Sequence, residues 1–437
     1  MLFLPISLET CTLPYSIGNR RTQSRDKVSS LSFGASLEEE EFRGIQSKLS
    51  LDFFKWDCQV GDVFTLFRQP LLLHAEAWEE LKQTAETLAT ELLLAEEELL
   101  VRPDLHALLG MPAQLRSALK EAARYGQAPP AVRTLRFDFH YSTDGWRISE
   151  VNSDVPGGYT EASAFTNMVA DCVPDAKPAG DPTIMWADTM MSVVGERGNV
   201  ALLSAVGFLE DQQVTAFLAN RLHERGVEAV LLHHPAQLKW RSGRASTVAR
   251  GRQIALDAIV RFYQGEWLAK SGSQCEWQWL FARGKTPVTN PGSALLTESK
   301  RFPLTWDGLS NGMNTWRSLL PESCDPGDQR WQVGDEWVLK MAFSNTGDEV
   351  HIRELMSPEA WNGICRMVQK NPERWIAQRR FQPVAIVSDL GPVYPCIGVY
   401  VIAGRAAGAY ARLATRQVID YSAMDAALLI HGGRNAE

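Results

Sequence analysis

One stretch of alternating residues constrains this chain more than any other part of its sequence. Between Leu135 and Tyr141, apolar and aromatic residues alternate with polar ones, and between Trp146 and Asn152 the alternation resumes. A period of two is typical of a β-strand with one buried face. The intervening Thr143–Gly145 segment contains a glycine, which suits a tight turn between antiparallel strands. The pattern therefore predicts a β-hairpin with one apolar face and one polar face.

The polar face of this hairpin carries two acids at opposed positions. With the loop at Thr143–Gly145, Asp138 lies opposite Glu150. The next pair on the same face is Arg136 and Asn152. Opposed side chains lie about 5 Å apart, so two facing carboxylates repel unless a cation lies between them. Carboxylate and amide oxygens are ligands that Mg²⁺ accepts, and the hairpin therefore predicts a magnesium site formed by Asp138, Glu150 and Asn152.

A surface hairpin whose acids are solvated is the alternative interpretation. Two features favour the metal site: the strongly aromatic opposite face of the first strand, and the segment Asp154–Gly158, which follows the second strand as a tight loop with free backbone amides. The register could also slip by one residue, because three-residue loops often carry a β-bulge.

Composition excludes several classes of protein. The chain has 437 residues, of which 45% are hydrophobic and 22% charged, as in globular proteins with two or three structural units. The net charge of −8 gives no whole-chain electrostatic footprint for nucleic acid, and no apolar run is long enough for a membrane span. Seven cysteines without a CxxC motif favour reduced thiols and a cytoplasmic location.

The order of patterns along the chain predicts a mixed α/β (α+β) fold. Residues 1–45 lack periodicity, and we expect a weakly ordered extension there. Residues 46–198 combine N-terminal helices with the hairpin. Residues 199–292 alternate strands with helices, which predicts a small parallel sheet, and residues 293–437 end in strands joined by turns, which predicts a late antiparallel sheet.

The sequence lacks the common nucleotide-binding and nucleophile motifs. Gly284-Lys285-Thr286 is not a P-loop, because Trp279 replaces the first glycine and no helix follows. Nucleotide chemistry without a P-loop needs acidic oxygens for magnesium, lysines for phosphates and a loop with free backbone amides. Lys300 and Lys340 are the candidate lysines, and the candidate loop is Ser344–Gly347, which includes Thr346 and Gly347.

These features resemble the synthetase domain of glutathionylspermidine synthases and their circularly permuted ATP-grasp relatives. The motifs that carry the resemblance are Arg136-Phe-Asp138 and Glu150-Val-Asn152-Ser-Asp154-Val-Pro156. The resemblance covers the chain from about Phe53 to the C-terminus. It implies an ATP-grasp-type fold with a pre-ATP-grasp-like parallel subdomain at 199–292 and nucleotide-binding subdomains at 293–437. It also implies two Mg²⁺ ions on Asp138, Glu150 and Asn152.

The same resemblance implies roles for several further residues. Arg136 is expected beside the reacting carboxylate and the γ-phosphate, and Arg412, in a late strand, at the transferred group. The expected ATP-binding residues are Lys300, Lys340, Thr346, Gly347 and Gln378.

The chain also departs from this family. Val155–Gly158 replaces small and hydroxyl residues, the loop Ser344–Gly347 lacks the family's arginine, and no amidase domain precedes the synthetase region. We therefore expect an ATP- and magnesium-dependent ligase that joins a small-molecule carboxylate, such as an amino acid or peptide, to an amine through an acyl phosphate, with substrates other than glutathione and spermidine. The alternatives are a metal-dependent hydrolase and a non-catalytic nucleotide-binding scaffold.

Overall fold

The computed structural model describes residues 31–60, 63–334, 336–344 and 349–432. The α-helices are α1 Glu39–Asp52, α2 Ala75–Leu100, α3 Ala113–Tyr125, α4 Thr166–Ala170, α5 Pro182–Val194, α6 Leu209–His223, α7 Gly265–Leu268, α8 Leu295–Glu298, α9 Asn314–Leu319 and α10 Pro358–Lys370. The strands are β1 Leu31–Phe33, β2 Gln59–Val60, β3 Val63–Phe64, β4 Leu71–His74, β5 Thr134–Ser142, β6 Gly145–Asn152, β7 Ala176–Pro178, β8 Asn199–Ser204, β9 Glu228–Leu232, β10 Lys239–Arg241, β11 Arg244–Ala249, β12 Arg252–Ala255, β13 Ala258–Phe262, β14 Val288–Thr289, β15 Ser323–Cys324, β16 Trp337–Met341, β17 Val350–Ile352, β18 Trp375–Arg379, β19 Ile386–Ser388, β20 Gly391–Ile402, β21 Arg405–Ala414, β22 Met424–Ala426 and β23 Leu428–His431.

The predicted hairpin is the pair β5–β6, and its register is the predicted one. Asp138 faces Glu150 and Arg136 faces Asn152. The loop is one residue shorter than predicted, because Ser142 already pairs with Gly145. A bulge in β6 next to Asp138 restores the register, since one extra residue there offsets the shorter loop.

The hairpin belongs to a six-stranded antiparallel sheet at the centre of the molecule. The strand order is β22-β21-β20-β5-β6, with β19 paired to β20. The apolar face of this sheet packs against the long helix α2, where Phe137, Phe139 and Val399 are fully buried with Leu88 and Leu92 of that helix. Burying this face leaves the polar face of the same strands free to form a site.

The small parallel sheet is also present, with strand order β14-β13-β8-β9. It lies within the predicted range 199–292, and α6 connects β8 to β9. Most of the late strands are antiparallel as predicted, but they divide among three sheets, and β23 pairs in parallel with β4. Strand β18 pairs with β15 and β16, whereas β19 and β20 join the hairpin sheet. The chain changes sheet near Pro383, where a proline lacks the N–H that a continuing ladder requires.

The folded part of the chain begins earlier than residue 46, where the sequence analysis placed its start. Residues 1–30 lie outside the described residues, but β1 pairs with β4, and α1 starts at Glu39. Leu31, Leu37 and Ile45 are buried, and packing of these apolar side chains orders a segment whose composition shows no periodicity.

Early and late segments of the chain also share sheets. Strand β23 runs parallel to β4 and antiparallel to β7, and β20 lies beside β5. The longest described helix is α2, with 26 residues. Neither α2 nor any other helix in the described ranges has the apolar length needed to cross a membrane.

Candidate functional site

The site is built on the polar face of the central sheet. Directly opposed residues of antiparallel strands share a face. One row of such residues is Glu150, Asp138, Gly398 and Tyr410. The neighbouring row is His140, Cys396, Arg412 and Asp425. Four strand spacings separate β6 from β22, so the two rows together span about 19 Å. They line a cavity of about 340 Å³.

At one end of this cavity, Asp138 is held by two neighbours. Arg136 donates two hydrogen bonds to its carboxylate, Nε to Oδ1 at 2.8 Å and Nη2 to Oδ2 at 3.0 Å. Asn152 Nδ2 donates to Oδ2 at 3.2 Å. Burial alone would lower the pKa of Arg136, but the Asp138 carboxylate outweighs burial and raises it well above its ordinary value.

A glycine makes room for this arginine. A Cβ on Gly398 would lie 3.0 Å from Arg136 Cδ and 3.1 Å from Tyr410 Cε1. The absent side chain therefore lets the guanidinium lie over the sheet, 5.8 Å from the centre of the Tyr410 ring. The arginine keeps its position above the strands, between the acid of β5 and the aromatic ring of β21.

The second acid, Glu150, lies beside the two predicted phosphate lysines. Lys300 Nζ is 3.1 Å from Glu150 Oε2 and donates to the carbonyl oxygen of Ser344 at 2.8 Å. Burial alone would raise the pKa of Glu150, but the ammonium groups of Lys300 and Lys340 outweigh it and hold the pKa at about 2. The carboxylate is therefore ionised throughout the neutral pH range.

Lys340 is the second-last residue of β16 and is buried. Its ammonium donates to Gln378 Oε1 at 2.8 Å and to the carbonyl oxygen of Ser149 at 3.1 Å. Burial lowers the pKa of Lys340 to about 8, with Lys300 adding to the effect and Glu150 opposing it. The sequence-predicted residues Lys340 and Gln378 are thus brought together across the β16–β18 pair.

The donor set around Asp138 and Glu150 fits the predicted magnesium ions. Each carboxylate oxygen can accept two hydrogen bonds, so Asp138 Oδ1 and the Glu150 carboxylate keep acceptor capacity beyond the contacts above. The amide of Asn152 supplies a further oxygen. In the described ranges, no three His, Cys, Asp or Glu side chains cluster as a metal site. The predicted set differs because its third donor is an amide.

Of the remaining predicted residues, the structure describes Arg412 but not Thr346 or Gly347. Arg412 lines the cavity from β21, and its Nη2 donates to the carbonyl oxygen of Asp420 at 3.1 Å. Thr346 and Gly347 lie outside the described residues, and Ser344 is the last described residue before them.

Sequence analysis missed the opposite end of the cavity. There Lys55, 4% exposed, lies 2.8 Å from Asp57 Oδ1, 3.9 Å from Asp425 Oδ2 and in closer contact with Glu161. These residues come from three remote segments, so no spacing motif connects them. The one available signal was an ammonium group inside the aromatic run Phe53–Trp56, where a lysine needs partners if it is buried.

A buried histidine on the hairpin was also missed. His140 Nε2 lies 3.0 Å from Ser149 Oγ, and its ring lies 5.2 Å from that of Phe381. Burial lowers the pKa of His140 to about 4, so the imidazole is neutral at physiological pH. Because Ser149 precedes Glu150 and its carbonyl accepts from Lys340, this contact supports the bulge that positions both charges.

Solved structures that match this chain include the following two. A glutathione synthetase-like effector (GSS30) from Globodera pallida, in its apo form, matches with a TM-score of 0.60 and 12% identity, over 89% of this chain and 96% of that one. A putative gamma-glutamylcysteine synthetase from Methylobacillus flagellatus KT matches with a TM-score of 0.36 and 10% identity, over 76% of this chain and 83% of that one. The first supports the fold alone, and the second is too distant to support an argument.

The fold and the family match agree with the sequence-based expectation. No curated protein matches the sequence. The family model described as glutathionylspermidine synthase preATP-grasp matches residues 66–430, which include the hairpin, both lysines and the late strands. The predicted α/β fold of the ATP-grasp type is confirmed, and the chain belongs to the glutathionylspermidine synthase preATP-grasp family.

Proposed function

We propose that this protein is an ATP-dependent ligase that joins a carboxylate to an amine through an acyl phosphate. Membership of a synthetase family supports a ligase acting on small molecules. The observation that supports ATP-dependent ligation is that two acids, an amide, two arginines and Lys340 line one cavity, while Lys300 lines a smaller cavity beside it that shares Glu150 and Lys340. The carboxylate substrate is a small molecule of the amino-acid or peptide class, and its partner is an amine.

Asp138, Glu150 and Asn152 are the residues that would hold Mg²⁺, with two ions as the family resemblance implies. When bound, Mg²⁺ neutralises phosphate oxygens and orients the γ-phosphate for transfer. Glu150, with its pKa of about 2, needs no deprotonation before it can act as a ligand. Arg136 fixes the orientation of the Asp138 carboxylate through its two hydrogen bonds.

Lys300 and Lys340 are positioned to bind the phosphates of ATP. An ammonium has three N–H donors, and the contacts described above use two on each lysine. Counting contacts with the described residues alone, each lysine keeps one N–H donor for a phosphate oxygen. Both lysines lie in residues 293–437, which we propose as the nucleotide-binding part of the chain, with Thr346 and Gly347 in the loop that closes over it.

Arg136 and Arg412 would stabilise the charge that develops during transfer. Fixed cations in a buried site stabilise a transition state without reorganising, because they are already in place. The amine would enter from the Lys55 side, where carboxylates attract an ammonium group. Burial, together with Glu161, raises the pKa of Asp425 to about 7, so this carboxylate can accept a proton from the attacking amine near neutral pH.

The two lysines also bear on the alternatives. A metal-dependent hydrolase would need the acids, but its reaction would not require the two buried ammonium groups beside them. A non-catalytic scaffold would not need Asp138, Glu150 and Asn152 to face one cavity. The arrangement of Lys300 beside Glu150 and of Lys340 beside Gln378 supports the ligase over both alternatives.

The test combines nucleotide binding with a screen for turnover. We expect MgATP to raise the melting temperature, since a ligand that binds only the native state stabilises it. In a screen of amino acids, short peptides and amines with Mg²⁺, we expect ADP release that depends on a carboxylate and accelerates with an amine. An unchanged melting temperature at millimolar MgATP would remove the ligase proposal.

A further inference from the structure

Lys55 places an ammonium group inside the cavity at the end opposite the hairpin. Lys55 and its carboxylate partners Asp57, Glu161 and Asp425 are called the Lys55 end below. The acids come from the loop after α1, from the π-helical turn Glu161–Phe165 and from β22. The lysine is 4% exposed, although both it and its three partners line the cavity.

The lysine is fixed by its backbone as well as by its charge. Ser50 Oγ donates to the carbonyl oxygen of Lys55 at 3.0 Å, and Cys58 Sγ donates to the same oxygen at 3.1 Å. Gln213 Oε1, on α6, accepts from the backbone N–H of Asp57 at 2.9 Å. These hydrogen bonds attach the backbone of this segment to α1 and α6. They therefore fix the position from which the Lys55 side chain reaches the acids.

The charges around this end are unequal. Five carboxylates line it, those of Asp57, Glu161, Asp425, Glu210 and Asp211. Only two cationic side chains are among the lining residues there, Lys55 and Arg412. Burial alone would lower the pKa of Lys55, but Glu161, Asp425 and Asp57 outweigh it and raise the pKa well above the ordinary value. The ammonium stays charged. Burial raises the pKa of Asp211 and of Asp425 to about 7, so both groups are only partly ionised at neutral pH, and a further cation at this end would favour their ionised forms.

We propose that Lys55 is a built-in occupant of the amine-binding end, and that it restricts the amine substrate to compounds with a single ammonium group. The inference rests on the proposed ligase function and names the class of its acceptor. The three carboxylates that already bind the Lys55 ammonium are the groups that would otherwise bind the second ammonium of a diamine or polyamine. A second ammonium would have to displace Lys55 or lie beside it, and like charges repel in a desolvated site.

The family match does not supply this inference. It covers residues 66–430, and Lys55 lies ahead of them. The acidic side chains alone would not identify a site, because carboxylates on a surface are usually solvated. The second observation is the ammonium itself, which is buried among three of these acids and shows what kind of group this end binds.

The experiment removes the lysine side chain and supplies its ammonium from solution. Lys55→Ala should lower the melting temperature, and n-butylammonium should restore most of the loss, whereas 1-butanol should not. Lys82→Ala is the matched control, because Lys82 pairs with Glu79 on the surface of α2. Its melting temperature should not respond to n-butylammonium.

The second readout is selectivity, measured by calorimetric titration. We expect 1,4-diaminobutane to bind Lys55→Ala at least ten times more tightly than the wild type, and the wild type to prefer n-butylammonium over the diamine at least tenfold. A wild type that binds the diamine as well as the monoamine overturns the proposal. If Lys55→Ala does not fold, the wild-type preference and the isosteric Lys55→Met variant decide the question.

These measurements are independent of turnover. If the binding pattern holds but no carboxylate and amine give ADP release, the ligase function fails while Lys55 remains an ammonium occupant. If ADP release is fastest with a polyamine, the ligase function stands and the restriction by Lys55 is wrong.

Discussion

The two ends of the cavity contain the same types of charged side chain but in opposite proportions. At the hairpin end, defined by Asp138, Glu150 and Asn152, two carboxylates face three cations, those of Arg136, Lys300 and Lys340. At the Lys55 end, five carboxyl groups face two cations, and burial raises the pKa of three of these carboxyl groups. The excess of cations at the hairpin end supports its proposed role in phosphate binding, and the excess of acidic groups at the Lys55 end supports its proposed role in amine binding.

Two carboxyl groups, one at each end, show the same difference in the charge of their neighbours. Lysines hold the pKa of Glu150 at about 2 against the effect of burial, whereas burial and Glu161 raise the pKa of Asp425 to about 7. A carboxylate that stays ionised suits a metal ligand. A carboxyl group that titrates near neutrality suits proton transfer. Burial is common to both, so the neighbouring charges decide which task each carboxylate can perform.

The largest expected effect is at the hairpin end. Glu150→Gln keeps the shape of the side chain but removes the charge, so we expect it to abolish the rise in melting temperature with MgATP. For the wild type, nucleotide at 100 times its Kd should stabilise by about 2.7 kcal/mol. Thermal denaturation with and without MgATP measures the difference. Asp144→Asn, an exposed acid in the turn of the same hairpin, is the control and should retain the full shift.

Arg412, directly opposite Asp425, allows nucleotide binding to be tested separately from the chemical step. We expect Arg412→Ala to retain the nucleotide-induced thermal shift but to slow product formation about 100-fold, because its interaction strengthens only as charge develops. Steady-state rates with an identified substrate pair measure this. Arg416→Ala, which removes a mostly exposed arginine paired with Asp420, should turn over normally. Normal turnover by Arg412→Ala would leave the phosphoryl contact to Arg136 alone.

The pH dependence of ATP binding tests the charge of Lys340 at the hairpin end. With a pKa of about 8, Lys340 is charged below that pH and loses its charge as pH rises through it. The Kd for ATP should therefore increase about tenfold between pH 7 and pH 9, since a neutral amine attracts phosphate weakly. Lys340→Arg keeps its charge across this range and should flatten the profile. Identical profiles for both proteins would place the titrating group elsewhere.

The smallest effect is expected at the Lys55 end. Folding raises the pKa of Asp425 to about 7, so its ionisation disfavours the folded state increasingly as pH rises from the unfolded pKa towards 7. Asp425→Asn should therefore gain stability relative to the wild type between pH 5 and pH 7.5, by about 2 °C in Tm. Differential scanning calorimetry across this range is the measurement.

A neighbouring acid provides a control of opposite sign. Burial alone would raise the pKa of Asp420, but hydrogen bonds from Ser422 outweigh it and lower the pKa. Its ionisation therefore stabilises the folded state above the unfolded pKa, and this contribution is lost as pH falls. Asp420→Asn should lower Tm at neutral pH. If both variants changed Tm in the same direction, the charges at the Lys55 end would not be arranged as described.

The hairpin end could be predicted because it is encoded in one local segment. The alternation of Arg136–Asp138 and Glu150–Asn152 fixed which residues share a face, and the pairing centred on Asp144 gave the register. The actual loop is one residue shorter, and the bulge in β6 compensates for it. Sequence alone could not show that compensation, because a bulge depends on contacts such as that of His140 with Ser149.

The Lys55 end could not be predicted because its residues meet only in the folded chain. Lys55, Glu161 and Asp425 are separated by more than a hundred positions at each step. No local period distinguishes these acids from solvated ones. The turn Glu161–Phe165 contacts β21, and β22 with Asp425 pairs with the same strand, so the folded sheet brings these acids to Lys55.

The central sheet places early strands beside late ones, and this order determines when the cavity can be completed during synthesis. Strand β5 is translated roughly 260 residues before the β20 strand that lies against it. At ordinary ribosomal rates this interval lasts roughly 13 to 50 s. During that time the hairpin has an unpaired edge and an aromatic face that chaperones or other nascent chains can bind. Arg412 and Asp425 follow β20 in the chain, so the cavity can be completed only after all of these strands have been synthesised.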